Sequence, residues 1–260
     1  MKRVFIAGAF VAIVFALGMT DVWAQEQTAV TDTALKFIGN WARDTSVPRG
    51  NCGGYRDERG NLLEDCSTPI DKLPMNDRAK AWLKYFDELQ SPHLNECAAI
   101  TVPNLLGDVR PFGISFKTDS VIVNYEQMNI IRHVWMDGRR HPPPTDLFQQ
   151  GHAIGRWEGE ELVFETTNFT WDPEGIDDHL HFPSSTRKKV TERYRLVNDD
   201  LMRITITLED PVFLTEPFTY VHQWKRQTKP LVGWWECDPE VTRLEMQLTA
   251  PVKYPGSVEK

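Results

Sequence analysis

The sequence is short of positive charge, with 29 Lys and Arg against 37 Asp and Glu, a net charge of −8, and no basic block. A phosphate-backbone footprint requires clustered cations, so nucleic acid is set aside as a partner. Cysteine is scarce, at four residues, and no C-x-x-C pair occurs, which removes the common four-thiolate zinc framework. Walker, G-x-G-x-x-G and G-x-S-x-G patterns are missing, so nucleotide-dependent and serine-hydrolase chemistry lose their sequence support. Gly151-His152-Ala153-Ile154-Gly155 has glycines but no strand-to-helix context, and is not a phosphate cradle. No internal repeat or low-complexity tract occurs, and no apolar run long enough to cross a bilayer follows the N-terminus.

What is present is ordinary in bulk and unusual in detail. The 260 residues are 41% hydrophobic and 25% charged, a globular composition with ample length for a core. Aromatics reach 11%, including nine Trp. The N-terminus begins with Lys2 and Arg3, continues with an apolar run over 4–19, and reaches Val22-Trp23-Ala24. That is the layout of a secretory signal peptide cleaved after Ala24. The expected organisation is therefore a signal over 1–24, an annex over 25–109 and a barrel core over 110–260. The expected compartment is periplasmic or extracellular, with no stable membrane insertion after cleavage.

In an oxidising compartment, Cys52, Cys66, Cys97 and Cys237 suggest two disulfides, and four cysteines allow three pairings. Cys52 with Cys66 is the local choice, closing a loop of roughly 15 residues worth roughly 3 kcal/mol. Cys97 with Cys237 would then tie the annex to the end of the chain.

In the annex, 35–41 reads as a first strand and 50–65 as a loop. One helix follows, capped by Asn76 or Asp77, with Ala79, Trp82, Leu83 and Phe86 at helical spacing and Ser91-Pro92 as its stop. Beyond residue 110 the periodicity changes to two. Strands are expected at 113–116, 121–126, 130–136, 153–157, 161–168, 188–197, 202–209, 218–225 and 242–249, separated by turn pairs such as Asp137-Gly138 and Glu158-Gly159. The fold class is all-β, a mainly antiparallel meander closing into a lipocalin-like barrel, with one N-terminal helix. Longer loops over 139–151 and 170–187 are candidates for function.

Polar residues that share the parity of an apolar face are the informative ones, because a barrel interior takes every second residue. Glu192 lies with Val190, Tyr194 and Leu196; His222 lies with Phe218, Tyr220 and Trp224. Arg132 lies with Ile130, Val134 and Met136, and Glu126 with Ile122 and Asn124. One reading makes them satisfied pairs, Glu126 with Arg132 and Glu192 with an arginine or tyrosine. The other directs Glu192 and His222 into a ligand cavity as acid, base or polar anchors. The ligand candidates are Glu126, Arg132, Trp135, Trp157, Tyr194, Tyr220 and Trp224, with Glu192, His152 and His222 as catalytic candidates. Asp177-Asp178-His179-Leu180-His181 is the most metal-like string, but it sits in a loop rich in Pro, Gly and Asp. His133, His141 and His152 have no site-specifying spacing, so neither a metal nor a cofactor is expected.

A family resemblance enters with Met136-Asp137-Gly138-Arg139-Arg140-His141-Pro142, then Gly151 and Ile154-Gly155-Arg156-Trp157-Glu158-Gly159. Leu162-Val163-Phe164-Glu165-Thr166-Thr167-Asn168-Phe169 and the later Glu192-Arg193 extend it. Together they resemble a group of uncharacterised exported bacterial proteins with the pattern MDGR-x-HP, G-x-x-IGRWEGD-x-LVVET-x-x-F, ER. The resemblance implies export and transfers no activity. A histidine often found shortly before the ER pair in that group stands here as Ser184. Gly39-Asn40-Trp41 is similar to the G-x-W of lipocalins, which implies an eight-stranded ligand-binding barrel.

These observations lead to an exported barrel that binds a small hydrophobic or aromatic molecule. The alternative is a cofactor-independent isomerase, lyase or hydrolase on the same barrel, using a Glu/His pair. A third reading is an envelope scaffold without a cavity.

Overall fold

The computed structural model describes residues 32–44, 73–86, 91–108, 110–177, 181–232 and 237–249. The chain divides into two units, 1–36 and 37–260. The signal segment, the 50–65 loop, Cys52 and Cys66 lie outside the described residues.

The second unit is a closed barrel of nine strands. In chain order these are β1 (Gly39–Arg43), β2 (Phe112–Phe116), β3 (Ser120–Tyr125), β4 (Ile131–Trp135), β5 (His152–Glu158) and β6 (Glu161–Thr167). After an excursion, β9 (Lys189–Asn198), β10 (Leu201–Glu209) and β11 (Phe218–Gln227) complete it. Alternation dictates these strands. Along β10, Met202, Ile204, Ile206 and Leu208 are buried, while Arg203, Thr205, Thr207 and Glu209 are half-buried on the other face. Closure falls to β1, which pairs antiparallel with both β11 and β2. Gly39 opens it at φ +129°, a conformation that side chains strain to adopt, with an Arg226 guanidinium nitrogen 2.9 Å from where a Cβ would sit.

The all-β barrel is thus as expected, with specific differences. It has nine strands rather than the eight that the G-x-W likeness implied. The meander is broken by β4 and β5, which pair in parallel through Val134 with Ala153 and Trp135 with Ile154. A parallel pair cannot be joined by a tight hairpin, and the 136–151 connection supplies the return path. The 170–187 stretch is not simply a loop, because β7 (Asp172–Asp177) and β8 (Phe182–Ser184) form a separate two-stranded sheet within it. Residues 32–37 are helical, so the first strand starts later than 35.

The expected helix is present as α1 (Asp77–Tyr85), with the Asn76 side chain accepting from the Ala79 N–H at 3.1 Å. Short helices α2 (Pro92–Asn95) and α3 (Asn104–Gly107) follow, and α4 (Pro239–Thr249) replaces the strand expected at 242–249. The missed signal is Asp238-Pro239. Asp238 accepts from the Glu240 N–H at 2.9 Å, and proline is suited to the first helical position. Cys97 and Cys237 form a disulfide across 140 residues, tying the segment after α2 to the approach of α4.

Candidate functional site

Inside the barrel, the candidates Arg132, Glu192 and Tyr194 join Tyr125 and Thr166 in a buried polar network. Arg132 on β4 donates to both carboxylate oxygens of Glu192 on β9, at 2.7 and 3.1 Å. The same guanidinium donates to Tyr125 Oη at 3.0 Å and Thr166 Oγ1 at 3.1 Å, and the Tyr194 hydroxyl donates to Glu192 at 2.6 Å. Arg132 is 2% exposed and Glu192 0%. Burial opposes the Arg132 charge, but the Glu192 carboxylate, with the Tyr125 and Tyr194 oxygens, outweighs it and holds the pKa well above the ordinary value. Both Glu192 oxygens are occupied. This ties the barrel wall together and leaves the carboxylate poorly placed for proton transfer.

The expected Glu126–Arg132 pair is not formed. Interior parity on β3 runs through Val121, Val123 and Tyr125, and Glu126 instead accepts from the Val232 N–H at 2.7 Å. Tyr220, His222 and Trp224 do line the interior face of β11. Burial, with the nearby Arg43 charge, pushes the His222 imidazole well below its ordinary pKa. His222 Nδ1 and Trp224 Nε1 have no hydrogen-bond partner among the described residues.

The remaining candidates scatter. Trp135 lies on the outer face, with the Arg139 guanidinium 3.6 Å above its ring. Trp157 is half-buried, edge-on to Phe37 and stacked on Phe116. His152 is also on the outer face of β5, where its Nδ1 meets His141 Nδ1 at 3.0 Å. Burial and the His141 neighbour depress its pKa. The catalytic candidates Glu192, His152 and His222 are therefore not one constellation.

A cavity of about 750 Å³ lies elsewhere, lined by residues that belong to no barrel strand. Helix α1 supplies one wall with two different faces. Ala79 is buried and Leu83 packs against the core, whereas Arg78, Trp82 and Tyr85 border the cavity at the i, i+4, i+7 spacing of one helical stripe. Phe86, at the end of the helix, extends this wall, and Trp171 and Phe213 also line the cavity. Trp82 meets Trp171 edge-on at 5.4 Å, and Trp171 is half exposed. The wall near Phe213 is set by Asp210, whose carboxylate accepts from the Ser185 N–H and hydroxyl at 2.6 and 2.8 Å and from the Val212 N–H.

A polar cluster lies around the hairpin that supplies Trp171 and Pro173. His181 Nδ1 is 2.6 Å from Glu174, and its ring stacks on Phe86 at 4.6 Å; Glu174 also accepts from Ser91. His93 pairs with Asp172 at 3.2 Å. Against the cost of burial, Asp172 raises the His93 pKa. Of the metal-like string, only Asp177 and His181 are described, and His181 is committed to Glu174.

Sequence parity missed Trp82, Phe86, Glu174 and Lys188 as site residues. The first two sit at helical spacing and read as core filling. Glu174 lies where no apolar alternation marks a face, whereas Lys188 shares the parity of Val190 and Tyr194 at the start of the 188–197 strand, the signal by which it could have been found.

Lys188 is 1% exposed and donates to Thr101 Oγ1 at 2.8 Å and Gly175 O at 2.7 Å, with Phe169 beneath it. Burial outweighs the attraction of Asp172 and Asp210 and lowers its pKa to about 7. Between that value and the unfolded value of about 10.4, the unfolded chain binds more protons, so stability rises with pH. The Lys188 contribution climbs by up to about 1.4 kcal/mol per pH unit from pH 7.5 to 9. Urea unfolding of wild type and Lys188→Met across this range reads the difference; equal slopes refute it.

No protein-family profile matches the chain, and no curated protein matches it. Among solved structures it is similar to the fluorescent protein UnaG, in its wild-type form and two point variants. Identity is 15% in each case, with TM-scores of 0.30 to 0.32. The alignments cover 75% of this chain and 98 or 99% of UnaG.

Proposed function

We propose that this is an exported binding protein for a small hydrophobic or aromatic molecule, held in the cavity between α1 and the β7–β8 hairpin. The observation that carries the reading is the cavity of about 750 Å³ faced by Trp82, Trp171, Phe86 and Phe213. Its volume lies in the range of small-molecule sites, which are apolar clefts with few polar groups. Rigid indole rings offer large contact area at low entropic cost, and Arg78 places a cation on the rim for an anionic substituent. Export is supported by the N-terminal layout and by the Cys97–Cys237 bridge, a bond that persists in oxidising compartments.

Titration with anilinonaphthalene sulfonate, a planar aromatic anion, tests the site through probe emission and tryptophan quenching. Saturable binding is expected, weakened at least about tenfold in Trp171→Ala and Trp82→Ala, a loss of about 1.4 kcal/mol or more. Arg78→Ala should weaken this anion more than a neutral naphthalene. Binding unchanged in both tryptophan variants overturns the assignment. Turnover of a bound aromatic ester, lost in His181→Gln while binding persists, would move the reading from carriage to catalysis.

A further inference from the structure

His133, His141 and His152 are separated in sequence, and the barrel brings them to one patch. Val134 and Ala153 are register partners in the parallel β4–β5 pair and point inward. His133 and His152, one residue earlier on each strand, therefore sit side by side on the outer face. The 136–151 connection then folds back and places His141 Nδ1 at 3.0 Å from His152 Nδ1.

That return is firmly held. Asn168, at φ 59°, directs its side-chain amide to the carbonyls of Pro142, Pro143 and Asp146 at 3.4, 2.9 and 3.0 Å. Gly151, at φ +71°, packs so closely that a Cβ would lie 2.8 Å from the Thr167 carbonyl. Only glycine meets both conditions. The other nitrogen of His141, Nε2, lies 3.3 Å from Glu165 Oε1. An ionised carboxylate is an acceptor only, so it favours the proton on Nε2 and leaves Nδ1 unprotonated, with its lone pair available to a metal ion.

We infer that His133, His141 and His152 form a binding site for a first-row transition-metal cation of the zinc type on the outer face of the barrel. Tetrahedral zinc with nitrogen ligands at about 2.0–2.1 Å separates two of them by about 3.3 Å, close to the existing approach of His141 and His152. Glu165 behind His141 supplies the carboxylate–histidine arrangement that orients a metal-bound imidazole. Among the described residues no three His, Cys, Asp or Glu side chains already surround one point. His133 completes the set by turning about its side-chain bonds. It is exposed, with its ring 5.9 Å from that of Trp135. Three imidazoles leave the fourth position to water or to a ligand.

Calorimetric titration of the untagged, disulfide-bonded protein with zinc chloride is the test. One saturable site is expected, with affinity reduced at least about tenfold in His141→Gln and in His152→Gln and severalfold in His133→Gln. Thermal unfolding without metal verifies that each variant is folded. An affinity unaltered in any one of the three, or no saturation by about 1 mM zinc in the wild type, overturns the assignment.

Discussion

Replacing Arg132 with methionine lowers the free energy of unfolding by about 3–5 kcal/mol. The substitution leaves the Glu192 carboxylate, itself fully buried, without its cation. Tyr125 Oη and Thr166 Oγ1 lose their donor in the same step. Much of the loss is the cost of an uncompensated buried charge, so removing both partners should be far milder. The double variant Arg132→Met with Glu192→Leu is expected to recover most of the deficit, because isosteric apolar replacements of buried pairs are often neutral. Urea denaturation of the two single variants and the double variant measures the coupling. A single Arg132→Met variant within about 1 kcal/mol of wild type would show that the network does not hold the wall together.

Trp41→Ala is expected to cost about 3–5 kcal/mol and to promote association. Trp41 is 0% exposed, pairs with Arg226 of β11 and Phe112 of β2, and donates from Nε1 to Phe37 O at 3.0 Å. The Arg226 guanidinium lies 4.3 Å over its ring. Because β1 alone bridges β11 and β2, weakening it exposes two strand edges at once, and unpaired edges template intermolecular pairing. Urea unfolding reads the stability, and light scattering near the thermal midpoint reads the association. Trp41→Phe should retain a good part of the stability through its ring. A Trp41→Ala variant that unfolds within about 1 kcal/mol of wild type, without added scattering, refutes the closure argument.

Much of the fold was legible because the relevant signals are local. Met202 to Leu208 alternate with polar neighbours, so the face each residue takes follows from parity alone. Asn76 marked its helix because the cap bond spans three residues. The C-terminal helix was lost for a related reason. Leu244, Met246 and Leu248 alternate like a strand, and only the Asp238-Pro239 start distinguishes the helix.

The site was less legible. Glu192, Arg132 and His222 are legible as polar positions on apolar faces, and the structure buries all three, whereas Glu126, read the same way, is only half-buried. Yet parity says which side of the sheet a residue takes and nothing about its partner. Glu126 and Arg132 are close in sequence, but interior parity on β3 passes through Tyr125 instead, and Arg132 finds Glu192 across the barrel. The α1 aromatics were visible as a helical stripe. That part of the stripe borders an open cavity depends on where Trp171 and Phe213 arrive.

By itself the sequence determined the faces of strands such as β9 to β11, the capped helix, the interior placement of Arg132, Glu192 and His222, and a chain whose end cysteine could staple it. Each of these rests on periodicity or on bonds between near neighbours. Only the tertiary structure decided which charge neutralises Arg132, that β4 and β5 run parallel, that His141 reaches His152, and that the aromatic cavity lies beside the barrel. Those outcomes depend on contacts between residues tens of positions apart, where closure of the sheet selects the neighbour.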